Sequence, residues 1–176
     1  MSVTVNALFM DALHQKYAGG FPEVGGMMHL VPITLLTHMK IYRFSTAGNP
    51  HDRLFGASWW FGFSAYRALV QLATLEARSL RAVARECLAV PPEWGNLMNL
   101  LVCADVRQPL SAWSGTPRTA RTKDPHTHRY GGPWRPDRSI TQLYVPGLSE
   151  FRLDGTRGPF IPWSDVLLPA ALEHVG

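Results

Sequence analysis

Apolar positions along the chain recur in two rhythms, one near 3.6 residues and one near 2, and their succession predicts an α+β domain. Val5, Leu8, Phe9, Ala12 and Leu13 follow the helical rhythm and stop at Gly19-Gly20, which predicts a short first helix. Two strand-like runs follow, MMHLVPITLL and MKIYRF. Pro32 has no N–H for an inner ladder, so the first of them belongs at a sheet edge or in an irregular position. Residues 45–56 carry turn chemistry and predict a loop, after which ASWWFGF reads as a short aromatic strand.

The longest periodic stretch places Tyr66, Leu69, Ala73, Ala77, Leu80, Ala84 and Cys87 on one stripe, with Arg67, Gln71, Thr74, Arg78, Arg81 and Arg85 opposite. This predicts one long amphipathic helix, capped by Ser64, running to about Val90 and stopped by Pro91-Pro92, with the arginines on a solvated face. NLMNLLVCADV reads as a buried strand whose first half could instead extend a helix, SITQLYV as an alternating strand, and EFRL as the start of a short strand beyond the PGLS turn. At the end, Ser164 is placed to cap a short helix interrupted by Pro169.

Between Arg107 and Arg138 the character changes, since seven of the 17 basic residues fall there against two acids, among many Pro, Gly and Thr. The stretch predicts a long basic loop within a single domain spanning 1–176. Trp113, Arg118, Arg121, Arg129, Tyr130 and Trp134 in it are candidate target-binding residues, because arginine forks with aromatic faces suit a protein hot spot or a nucleic-acid strand.

Composition narrows the classes. The chain has 176 residues, a net charge of +4 and an apolar fraction of 46%, enough for a self-sufficient core. No apolar run approaches the roughly 18 residues of a membrane span, and the N-terminus lacks a signal-peptide pattern. A cytoplasmic location is therefore expected, compatible with delivery by a dedicated secretion machine. Cys87 and Cys103 both sit in apolar stretches, as buried thiols do. His126 and His128 lack a third ligand nearby, so no metal site is expected.

Three pieces stand in a suggestive order: IYRFS with Arg43, GASWWFGFSAYRALVQLA with Ser58, and SITQLYVPG with Gln142. A polar residue on each of three strands, separated by a helix and a long segment, resembles the ADP-ribosyltransferase family in its arginine-serine-glutamate branch. The resemblance covers about 120 residues. It implies a small two-sheet domain that takes NAD as substrate and transfers ADP-ribose to a macromolecular target or to water, as a toxin or effector.

On that resemblance, Arg43 would hold the NAD pyrophosphate or ribose, Ser58 would shape the nicotinamide pocket, and Trp59 or Trp60 would stack on its ring. The third strand departs from the pattern, with Gln142 where the family has its catalytic Glu. An amide offers a hydrogen bond but no charge to a developing ribose cation, a loss of about 2.7–4 kcal/mol. Either Gln142 marks a weakened relative or Glu150 supplies the carboxylate. Two other readings remain open here: Arg43 as a strand residue paired with an acid such as Asp52, and the whole chain as a non-catalytic binding or inhibitor protein, or nucleic-acid module, working through its basic loop.

Overall fold

The structure, a computed structural model, describes residues 3–21, 24–123, 130–134, 140–151 and 155–176, with the backbone alone for 122–123 and 130–134. Its strands are β1 (Met27–Leu35), β2 (Lys40–Ser45), β3 (Trp59–Gly62), β4 (Leu100–Val106), β5 (Leu110–Pro117), β6 (Ala120–Lys123), β7 (Tyr130–Trp134), β8 (Gln142–Tyr144) and β9 (Leu167–His174). Seven of them form one antiparallel sheet in the order β1-β5-β8-β3-β2-β4-β9, and β6 pairs with β7 in a separate ribbon. The helices are α1 (Ala12–Gly19), α2 (His51–Phe55), α3 (Phe63–Leu75), α4 (Leu80–Cys87) and α5 (Trp163–Val166). The expected α+β class is what the chain adopts.

The seven-stranded sheet is two halves joined by β3. Trp59 and Trp60 pair with Tyr144 and Leu143 of β8, whereas Phe61 and Gly62 pair with Tyr42 and Ile41 of β2. With two residues committed to each side, β3 bonds neither neighbour along its whole length, and a cleft lies at this seam.

Strand periodicity divides the core. On β4, Leu100, Val102, Ala104 and Val106 enter one apolar cluster, and Leu101 and Cys103 enter the cluster on the opposite face. Both faces are covered, so the strand reads as an unbroken apolar run. On β2 the same alternation sends Ile41 to the first cluster and Tyr42 and Phe44 to the second. Arg43 therefore shares the Ile41 side, and its guanidinium lies 5.6 Å from the ring centre of buried Trp60.

Pro32 does lie on an edge strand, β1, as its missing N–H requires. Several other expectations are corrected. The first helix begins only at Ala12, because Asp11 caps it by accepting from the His14 N–H; Ala7–Phe9 form a 3-10 turn. The predicted loop 45–56 contains α2.

The long helix is two. Ala77 adopts a left-handed conformation (φ 50°), α3 ends at Leu75, and Ser79 caps α4 by accepting from the Ala82 N–H. Gly62, rather than Ser64, stands at the start of α3. Leu69, Ala73, Ala84 and Cys87 of the predicted apolar stripe are buried, Tyr66 and Leu80 are half-buried, and Ala77 is exposed; Ala65 and Val83, outside the stripe, are buried with them.

The expected basic loop 107–138 contains β5, β6 and β7. β5 was hidden by its small and polar residues, yet it is held between β1 and β8. Gly115 lets it approach closely, since a Cβ there would lie 2.6 Å from the Met28 carbonyl oxygen. The C-terminal stretch is mostly strand rather than helix. After the single turn of α5, β9 covers the edge of β4, and Pro169 is accommodated because β9 is the outer strand and carries an irregularity there. Of EFRL, Phe151 forms an isolated bridge with Arg157, and Arg152 and Leu153 lie outside the described residues.

Candidate functional site

Two adjoining cavities of 510 Å³ and 940 Å³ occupy the seam. Each is of the size that holds a small-molecule ligand. Arg43, Trp59, Trp94 and Asn96 line both. The smaller adds Tyr17, Phe21, Phe61, Leu88, Arg118 and Gln142, and is mostly apolar. The larger adds Asn49, Asp52, Ser58, Tyr144, Glu150 and Trp163.

Arg43 is the electrostatic centre. One terminal nitrogen, Nη1, donates to the carbonyls of Arg53 (2.9 Å) and Leu54 (3.0 Å) at the end of α2. Its Nε is buried with no hydrogen-bond partner among the described residues. No carboxylate within salt-bridge distance of it is described; Asp52 instead accepts at 2.8 Å from the indole N–H of Trp163. The ion-pair reading of Arg43 is thereby replaced. Burial pulls the guanidinium down to about 10, which leaves it cationic at neutral pH. The residue is half-buried, and an occluded Nε without a partner is costly to maintain.

Ser58 is buried, immediately before β3. Burial, opposed by the neighbouring Ser58 hydroxyl, pushes the Tyr144 phenol up to about 12, so it stays protonated at neutral pH. Trp59 stands between the cavities, edge-on to Tyr144 with ring centres 5.0 Å apart. Gln142, at the start of β8, donates its amide to the Leu88 carbonyl (3.1 Å) and faces the smaller cavity. Glu150 lines the larger one. The three strands singled out in the sequence, β2, β3 and β8, are thus neighbours, and the structure gathers Arg43, Ser58, Trp59, Gln142 and Glu150 around one seam.

The proposed target-binding set is not gathered in this way. Trp113 is 8% exposed and packs among Tyr17, Ala18, Met27 and Tyr144, so it is a core residue rather than a surface anchor. Arg118 donates from Nε to the Gly19 carbonyl (2.9 Å) and lines the smaller cavity beside Arg43. Arg121 is exposed on β6. Tyr130 and Trp134 bound β7, their side chains lying outside the description, and Arg129, His126 and His128 lie outside the described residues altogether.

Three contributors escaped the sequence reading. Trp94, 49% exposed, stands at both cavities on the 3-10 turn Pro92–Trp94. An aromatic ring left in solvent just after Pro-Pro was the available signal. Asn96 fixes the wall by donating to the Phe44 carbonyl and accepting from the Met98 N–H. Arg85, expected on a solvated stripe, instead turns inward and donates to the carbonyls of Val90, Asn96 and Leu97, clamping the segment that carries Trp94.

No protein-family model and no curated protein matches the chain. Among solved structures, the chain is similar to Rhs1-CT in complex with its cognate immunity protein RhsI1, at 18% identity and a TM-score of 0.46, covering 85% of this chain and 83% of that one. It is also similar to Tne2 in complex with Tni2, at 12% identity and a TM-score of 0.44, covering 81% and 100%. The functional reading below stands on the geometry of the seam. No described helix is long and apolar enough to cross a membrane.

Proposed function

We propose that the chain binds NAD as substrate across the two cavities and transfers its ADP-ribose to a macromolecular target or to water, as a toxin or effector. The observation that carries this reading is Arg43, a half-buried guanidinium with no carboxylate within salt-bridge distance among the described residues, which lines both ligand-sized cavities. A pyrophosphate is the chemical complement of such a group, and Arg118 in the smaller cavity supplies a second fork for its second charge. Trp59 and Trp94 offer π-faces for flat heterocycles, and Ser58 with Tyr144 offers hydroxyls beside them. Gln142 and Glu150 face the ribose from either side of Arg43.

The chemistry is a glycosidic cleavage. The bond between ribose C1′ and the nicotinamide nitrogen breaks with its electron pair leaving on nicotinamide, and an acceptor oxygen or nitrogen bonds C1′ and loses a proton. Positive charge develops on the ribose, so an anchored dinucleotide and a nearby carboxylate lower the barrier. Release of nicotinamide from NAD by the purified chain, together with thermal stabilisation by NAD, tests the reading. The absence of both release and stabilisation at millimolar NAD refutes it.

A further inference from the structure

Gln142 lacks charge, and Glu150, the next carboxylate after it along the chain, lines the larger cavity. The same cavity holds another carboxylate, whose position a hydrogen bond sets. Asp52 is in the first turn of α2, and its Oδ1 accepts the Trp163 indole N–H at 2.8 Å. Trp163 is itself stacked on buried Phe55, with ring centres 5.0 Å apart. The next two residues of the same helix, Arg53 and Leu54, supply the carbonyls that hold Arg43. One short helix therefore fixes the carboxylate and the guanidinium in the wall of one cavity.

We propose that Asp52 is the catalytic carboxylate of this site, facing the ribose of a dinucleotide whose phosphates Arg43 holds, with Trp163 as its positioning residue; the inference rests on the NAD reading above. Oδ1 is engaged by the indole, and Oδ2 carries the charge toward the ribose as the C1′–nitrogen bond opens. The negative charge stabilises the ribose cation, and the carboxylate orients the ribose hydroxyl or takes the proton of the attacking water. A carboxylate oriented by a hydrogen bond before the reaction stabilises developing charge with less reorganisation.

The experiment compares nicotinamide release and NAD-induced thermal shift in the full chain and in Asp52→Asn, Glu150→Gln and Trp163→Phe. Asp52→Asn keeps an oxygen for the indole and removes only the charge. It is expected to lower kcat by about 10²–10³-fold with the thermal shift retained. Trp163→Phe keeps the stacking, removes the hydrogen bond, and is expected to lower kcat by about 10-fold at unchanged KM. A parental kcat in Asp52→Asn, a lost thermal shift in Asp52→Asn, or a larger kcat loss in Glu150→Gln would each overturn the assignment, while a parent chain that still shifts and releases nicotinamide keeps the NAD reading. A parent chain that neither shifts with NAD nor releases nicotinamide overturns the assignment and the NAD reading together.

Discussion

Replacing Arg43 with methionine separates its structural work from its work on a ligand. Methionine keeps an unbranched apolar stem beside Trp60 and removes the cation. The carbonyls of Arg53 and Leu54 lose their charged donor, and the interior loses a buried charge, so the resting stability moves by the difference of two opposed effects. The NAD-induced change is cleaner. At a concentration of about 100 times Kd, NAD adds roughly 2.7 kcal/mol to the parent. In a chain of this size that is a Tm rise of about 5–11 °C. Losing a desolvated charge-assisted contact typically costs about 2–5 kcal/mol of affinity, or roughly 30- to 5,000-fold in Kd. At the same NAD concentration the variant then keeps at most about 0.9 kcal/mol, a rise below about 4 °C. Differential scanning fluorimetry with and without NAD reads this directly. A variant that folds and shows the full parental shift would refute the assignment of Arg43 as the anion anchor, whatever its resting Tm.

Other consequences of the fold are checked separately. Arg85→Ala releases three carbonyls of the segment bearing Trp94, so KM for NAD in the nicotinamide-release assay should rise while kcat holds within about threefold. Ala77→Gly relieves a left-handed alanine between α3 and α4 and should raise stability in urea titration by about 1 kcal/mol. Gly115→Ala forces a Cβ against the Met28 carbonyl and should lower it by about 1–3 kcal/mol. Hydrogen bonds from Arg78 hold the Glu86 carboxyl below its ordinary range, so its contribution is complete above the usual glutamate pKa and fades as pH falls through the lowered one. The stability difference between the parent and Glu86→Gln should shrink accordingly between pH 6 and pH 3 in about half-unit steps.

Residues whose own pattern carries the signal were readable in advance. Uninterrupted apolar residues revealed β4, the proline at 32 revealed an edge, and the stripe through Leu69, Ala73, Ala84 and Cys87 revealed a buried helical face. Where neighbours decided the outcome, the pattern misled. The same stripe runs past the break at Ala77, because a helix pair and a single helix bury the same spacing and the left-handed alanine leaves no mark in the alternation. β5 reads as loop because Ser, Gly and Thr sit between two other strands, where backbone pairing rather than side-chain burial holds them. Pro169 argues against a strand until β4 offers its edge.

What the chain determined by itself is the α+β class, the basic balance and the three motif strands bearing Arg43, Ser58 with Trp59, and Gln142. Only tertiary structure decided that those strands lie side by side, that β3 divides its hydrogen bonds between β8 and β2, and that Arg43 meets backbone carbonyls instead of Asp52. The physical reason is that helical and strand periods report which face of an element is buried. Which distant groups share a cavity depends on strand order and on a few residues of pairing at β3, and neither leaves a periodic trace.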